Sequence, residues 1–331
     1  MVDLKKNIMV NKKITFISAQ PDVPYFHWQV EVMIHNFMKV GINPNWIEVL
    51  FAYDDEVSKQ GRNLADRYPY VRFFFYKKSE INKRNYGYIP VLRPDILSQH
   101  FKTYKHLESE IIFYHDSDII FRKLPDFNKL TNDDKWYLSD TVSYIGSDYI
   151  KSKSEDLLLN MCNIAGIPKD IVEKNNDNSG GAQYLMKNID YTFWEEVKEI
   201  SINLYKYMSQ IESEERIRLS SEELKNYNPV QKWCADMWAV FWTGLKRSNQ
   251  IRISDELSFS WASSHSRDWN KNNIYHNAGV VDNKNGTIFY KGDYINKSPW
   301  NEDFSKISKE SNSYNYIQAI LYAKKIKAYQ K

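Results

Sequence analysis

The chain has 331 residues, 42% hydrophobic and 26% charged, which is the composition of an ordinary globular protein with room for one large α/β domain or two small ones. A net charge of +3 gives no strong field toward nucleic acid, and no stretch reaches the roughly 18–20 apolar residues that cross a bilayer. Two cysteines, Cys162 and Cys234, exclude a disulfide framework; with a polar, lysine-rich segment 1–12 in place of a signal peptide, the expected location is cytoplasmic.

The first half alternates strands and helices. Residues 13–19 read as a strand, broken by Gln20-Pro21-Asp22-Val23-Pro24. A helix over about 25–39 follows from Val30, Met33, Ile34, Phe37 and Met38 at helical spacing, with Gly41 at its end. Residues 46–53 are nearly all apolar and predict a strand buried on both faces. Asp54-Asp55 is expected to cap a helix reaching about Tyr68, and 71–76 forms a third strand. A polar, basic loop over 77–88 leads to Arg93-Pro94-Asp95, which opens a short helix with proline in its first turn. The order predicts an α/β fold with a mostly parallel central sheet flanked by helices.

The fourth strand carries the most telling motif. Ile111-Ile-Phe-Tyr-His115 runs into Asp116-Ser117-Asp118, and Ile119-Ile-Phe121 follows. Carboxylates at i and i+2 on extended backbone point the same way and repel unless a cation sits between them. They would lie at the C-terminal end of a parallel strand, where ligands bind in open α/β sheets. A Mg²⁺ or Mn²⁺ ion with a diphosphate on its far side fits this pattern; ordinary turn residues are the alternative. No Gly-x-Gly-x-x-Gly follows the first strand and no Walker-type loop is present, which disfavours dinucleotide oxidoreductases and P-loop enzymes.

The second half is less regular. Residues 136–140 and 142–145 read as a strand and a turn, 155–165 as a helix, and Gly180-Gly181 as a turn or a close backbone approach to a ligand before a short strand. An amphipathic helix is expected over 191–207, and 209–227 is a charged surface helix or insertion. Residues 233–242 predict an apolar helix containing Asp236, either its cap or a site carboxylate. His265 and His276 are late histidines; an imidazole with two Asp carboxylates would suit Mn²⁺, and Lys291 or Lys297 could meet a diphosphate. The 15% aromatic content, with 24 Tyr and 10 Trp, is mainly core, although some rings could line a carbohydrate or nucleotide site. Residues 314–331 form a basic amphipathic helix, a packed end or a peripheral membrane contact.

Strand, Asp-x-Asp, glycine pair and late His with Lys and Pro-Trp together resemble the GT-A fold glycosyltransferases. His276-Asn-Ala-Gly279 and Lys297-Ser-Pro-Trp300 resemble a stretched form of the glycogenin-like His-x-x-Gly-x-x-Lys-Pro-Trp ending. Pro24-Tyr25-Phe-His-Trp28-Gln29, Arg93-Pro94, Asp116-Ser-Asp118 and Asp236-Met-Trp238-Ala resemble, in order, the peptidyl serine galactosyltransferase and hydroxyproline arabinosyltransferase group. The resemblance implies one GT-A domain over 13–300, with a nucleotide-binding half (13–125), a sugar and acceptor half (126–300) and a helical extension over 301–331. It implies a UDP-sugar donor, Mn²⁺ or Mg²⁺, and a hydroxyl acceptor on a glycan, glycolipid or protein. Asp116, Asp118 and His276 would be metal ligands; Ser117, Lys291 and Lys297 would face the diphosphate; Ala19, Gln20 and Asp55 the uridine; and Arg93 the ribose or phosphate. Gly180, Gly181 and Gln183 would floor the sugar pocket, with Gln183 and Asp236 catalytic. Asp236 would be a base in an inverting reaction or a charge stabiliser in a retaining one, retention being favoured. A metal-dependent nucleotidyl- or phosphotransferase and a non-catalytic carbohydrate-binding protein are the rival classes.

Overall fold

A computed structural model of the chain describes residues 12–79, 87–280, 282 and 285–329, so the tail expected over 1–12 lies almost wholly outside it. In chain order the strands are β1 (Ile14–Pro21), β2 (Ile47–Tyr53), β3 (Arg72–Lys77), β4 (Ile111–His115), β5 (Ile119–Phe121), β6 (Trp136–Asp140), β7 (Gly180–Met186), β8 (Ile251–Ile253), β9 (Phe259–Trp261) and β10 (Ile274–His276). The longer helices are α1 (Pro24–Lys39), α2 (Lys59–Arg67), α3 (Leu92–Thr103), α4 (Glu155–Ala165), α5 (Tyr191–Arg218), α6 (Ala235–Lys246) and α7 (Ser313–Tyr329). The fold is α/β and mostly parallel, and the chain forms two compact units. One comprises residues 1–77, 110–133 and 254–331, the other 78–109 and 134–253.

In the first unit β3, β2, β1 and β4 lie side by side in that order, all parallel. β1, β2 and β4 are buried almost throughout, which explains their near-continuous apolar sequences. The chain steps outward from β1 to β2 to β3 and then returns to the other side of β1 as β4. The C-terminal ends of β1 and β4 therefore flank a topological switch point, where the open sheet leaves a crevice. A smaller sheet in the order β5-β10-β9 pairs β5 antiparallel to β10 and β10 parallel to β9. α7 lays Tyr316, Ile317, Ile320 and Ala323 into a core shared with Trp28, Val32, Tyr275 and Phe289, and its Lys327 donates to the buried Glu31 at 2.8 Å.

In the second unit β6 runs antiparallel to β7, with a register shift at Leu138/Ser139, and parallel to β8. α5 continues to Arg218, beyond the expected end near 207. Its charged stretch keeps helical spacing and makes i,i+4 contacts: Arg216 to Glu212 at 2.8 Å and Gln210 to Glu214 at 2.8 Å. A separate turn over Ser221–Asn226 begins with a capping box built by Ser220 and Glu223. Among the described residues no helix is long and apolar enough to cross a membrane.

Two local expectations need correction. Asp54-Asp55 does not cap α2. Ser58 does, its Oγ accepting from Gly61 N at 2.9 Å, because Asp22 anchors Ser58 through its backbone N–H (2.6 Å) and hydroxyl (2.7 Å). Residues 142–145 form a turn, as expected, and the turn is helical. Asp236 does not cap α6; it lies in the first turn with Cys234 at the cap position, and its side chain is engaged elsewhere.

β5 is short and depends on a side chain to hold it. Buried Asn36 on α1 donates to Phe121 O at 3.0 Å and accepts from Phe121 N at 2.7 Å. Asn36→Ala strands both backbone groups and should destabilise the protein by about 2–4 kcal/mol, read as a shift in the urea midpoint. A change within error would show that β5 does not rely on this pair.

Candidate metal centre

Asp116 and Asp118 follow directly from β4, at the switch point of the first unit. The backbone brings His276 to them in two steps. Antiparallel pairing of β10 with β5 sets His276 opposite Ile119, next to Asp118. Asn277 N then donates to Asp118 O at 2.9 Å, fixing the turn after His276. His276 Nε2 lies 3.2 Å from Asp118 Oδ1 and 3.4 Å from Asp116 Oδ2. The three side chains each offer one ligand atom, and these atoms all lie within 4.8 Å of one another. Ligands around one octahedral ion at about 2.1 Å are about 3–4 Å apart, so a small closure of this group would hold a single ion. Two hard oxygens and one imidazole nitrogen suit Mn²⁺ ahead of Mg²⁺. Three protein ligands leave the remaining positions to a substrate and water. Trp261 stacks on the imidazole at 5.9 Å and 16°, restricting its rotation. The neighbouring Asn277 keeps a buried Nδ2 that makes no hydrogen bond within the described residues, a spare donor beside the group.

At each charged group of this cluster, burial is opposed by its neighbours' charges. Burial would raise the Asp118 carboxyl, but Lys291 and His276 outweigh it and hold it well below the usual range. Burial would lower the Lys291 ammonium, yet Asp118, to whose Oδ2 it donates, carries it above its ordinary value. For His276, burial is again opposed by Asp118 and Asp116, and the imidazole is pushed up to about 9. Tyr25 hydrogen-bonds Lys291; its hydroxyl is raised by burial, with Lys291 opposing and Asp118 adding. On β4, buried His115 is pushed down to about 4 by burial, and its Nδ1 lies 2.9 Å from the carbonyl of Asp116. The neutral ring therefore donates to the peptide that carries the first carboxylate.

The structure brings Asp116, Ser117, Asp118, His276 and Lys291 together and leaves other predicted residues apart. Ser117 is buried between the two carboxylates. Lys297 pairs with Glu302 at 2.8 Å on the surface. His265 is exposed and its Nδ1 accepts from Arg267 N at 3.1 Å. Ala19 and Gln20 are buried, and Gln20 donates to Leu50 O at 2.9 Å. Asp55 is exposed on the loop after β2. Residues 80–86 of the basic loop lie outside the described residues.

In the second unit, Arg93 donates to Asp236 Oδ2. The Tyr88 hydroxyl accepts from Asp236 N at 2.8 Å and lies 3.0 Å from Oδ1. Gln183 is buried and its Oε1 accepts from Ser139 at 2.7 Å. A Cβ at Gly180 would meet Leu138 and come within 2.8 Å of Ser139 O, so contact with β6 already requires glycine there. Between Gly181 and Gln183, Ala182 takes φ +63, a left-handed conformation costly for alanine.

The sequence gives no site role to Asp22, Tyr25 or Trp261. Asp22 bonds His27 Nε2 at 2.7 Å as well as Ser58, fastening the end of β1 to the loop after β2. A carboxylate just beyond a buried strand was the available signal. Nothing local marks Trp261, because its contact depends on β9 pairing with β10.

Two opposed titrations follow for metal-free protein. His115 stays neutral in the fold but protonates in the unfolded chain near pH 6.5, so its contribution falls as pH drops from 6.5 toward 4. His276, raised in the fold, contributes fully below about 6.5 and loses that contribution as pH rises through about 9. Chelator-treated protein should therefore be most stable near pH 6.5, and His276→Gln should flatten the alkaline limb; an unchanged limb in that variant contradicts the assignment. Because a ligand imidazole must lose its proton, Mn²⁺ affinity should rise about tenfold per pH unit between about pH 6.5 and 8 by calorimetry. A pH-independent affinity would remove His276 from the ligand set.

A scan against protein-family models and a search of curated proteins both find no match. Among solved structures, the chain is similar to the WbbM bifunctional glycosyltransferase, with 11% identity and a TM-score of 0.49, covering 96% of this chain and 51% of that one. It thus spans about half the length of WbbM. Mouse xyloside xylosyltransferase 1 aligns at 8% identity and a TM-score of 0.40, over 80% of this chain and 97% of that one. Galactosyltransferase LgtC, solved in complex with donor and acceptor sugar analogues, aligns at 11% identity and a TM-score of 0.42, over 92% and 95%.

Proposed function

We propose that the protein is a metal-dependent glycosyltransferase of GT-A type that moves a sugar from a UDP-sugar to a hydroxyl acceptor on a glycan, glycolipid or protein. One observation carries this reading: Asp116, Asp118, His276 and Lys291 converge at the switch point of a parallel sheet that has no glycine-rich phosphate loop. Such a site must manage phosphate charge by other means. Asp116 Oδ2, Asp118 Oδ1 and His276 Nε2 would hold Mn²⁺ or Mg²⁺, which when bound neutralises the leaving diphosphate as a Lewis acid. Lys291 adds a fixed positive charge beside the same oxygens and keeps Asp118 ionised. Tyr25, bonded to Lys291, limits where that ammonium can point. The proposed uridine contacts are those of the sequence resemblance: Ala19, Gln20 and Asp55.

Asp236 is the proposed reaction carboxylate. Its oxygens are engaged by Arg93 and Tyr88, which suits a fixed negative charge better than a free proton acceptor. That favours stabilisation of an oxocarbenium-like state, and hence retention of anomeric configuration. Gln183, Gly180, Gly181 and Arg93 keep the sugar-side roles that the resemblance implies.

Calorimetric titration with UDP should show binding that requires Mn²⁺ and is lost in Asp118→Ala. A panel of UDP-sugars should then reveal slow metal-dependent hydrolysis that names the donor. Asp236→Asn should lower turnover by at least about tenfold while UDP binding is kept. UDP that binds equally well with chelator, or full turnover in Asp236→Asn, would overturn the corresponding assignment. Release of pyrophosphate with formation of a new phosphate ester would place the protein among nucleotidyltransferases instead.

A further inference from the structure

A cavity lies in the first unit, at the far end of β5 from the carboxylates. Arg122 is four residues on from Asp118, about 13 Å along extended backbone. The cavity is about 180 Å³ and is bounded by α1, the end of β5, the turn Ser266–Asn270 and α7. It exceeds the roughly 150 Å³ that admits a benzene ring.

Its walls combine three features. Trp269 and Tyr322 supply aromatic rings. Lys39 and Arg122 supply positive charge, and neither has a carboxylate partner among the described residues. The Lys39 ammonium sits 4.6 Å from the Tyr322 ring, and Arg122 uses only Nε, on Asn272 O at 2.7 Å. Gln318 keeps its amide uncommitted within the described residues, and Asn315 commits only its Nδ2, to Asn312 at 3.2 Å. Flat apolar faces suit the C–H faces of a pyranose. Amides that both donate and accept suit its hydroxyls, and two cations without a carboxylate partner among the described residues call for an anion. A purely apolar ring would leave the polar groups unmet, and an uncharged sugar would leave the cations unmet.

We propose that this cavity is a non-catalytic binding site for a single sugar ring bearing a carboxylate or phosphate. The inference uses no residue of the metal centre and stands apart from the transferase reading. Saturation-transfer NMR on the full chain tests it, with glucuronate, glucose 6-phosphate, glucose and benzoate as probes and EDTA present. At least one acidic sugar should bind with a dissociation constant of about 1–10 mM, and both glucose and benzoate should bind at least about tenfold more weakly. Lys39→Met, at an exposed position, and Trp269→Ala should each weaken the acidic sugar several-fold. In Lys39→Met, Mn²⁺-dependent UDP binding should stay unchanged. Whether glucuronate or glucose 6-phosphate is preferred identifies the anion. The proposal fails if neither acidic sugar binds at about 20 mM, or if glucose or benzoate binds as well. It also fails if binding is lost in Asp118→Ala but kept in Lys39→Met and Trp269→Ala.

Discussion

Two carboxylates fixed at one strand end are the constraint on which the first unit turns. Asp116 and Asp118 leave β4 at i and i+2, and their mutual repulsion needs compensation from positive charge. The fold supplies it from distant sequence: His276 through strand pairing and Lys291 through the segment that follows. Neutral His115 holds the peptide of Asp116, and Asn277 the backbone of Asp118. The cluster thus joins two carboxylates, an imidazole and an ammonium in one buried group, the arrangement on which the proposed metal site rests.

The architecture around it serves position more than chemistry. Parallel strands buried on both faces fix where β4 ends, and Asn36 holds the end of β5 at Phe121. α7 closes the core under Trp28 and Tyr275, so the far C-terminal sequence stabilises the strand that carries His276. An α/β sheet without a phosphate-binding glycine loop would gain from the proposed centre, because a metal and a lysine could meet the charge that backbone amides otherwise meet.

Much of this was legible in the sequence because local rules governed it. Continuous apolar runs marked β1, β2 and β4, and the spacing of Val30, Met33, Ile34 and Phe37 marked α1. The Asp-x-Asp stood out because apolar runs bracket it. The failures came where tertiary contacts overrode local preference. Asp54-Asp55 looked like a cap, but Asp22 anchors Ser58 and moves the start of α2. For Asp236 the sequence leaves a cap and a site carboxylate open; the cap falls to Cys234, and Arg93 and Tyr88 bind the Asp236 side chain. Sequence alone left Lys291 and Lys297 equivalent; three-dimensional placement puts one on Asp118 and the other on exposed Glu302. Trp261 was invisible because its role depends on which strand lies beside β10.

The central claim is that Asp116, Asp118 and His276 form one metal centre. Anomalous diffraction from crystals soaked in Mn²⁺ and UDP tests it most directly. One strong manganese peak is expected, within bonding distance of carboxylate oxygens of Asp116 and Asp118 and of His276 Nε2, with diphosphate density on its open side. Manganese bound elsewhere, or UDP bound with no peak among these three residues, would contradict it.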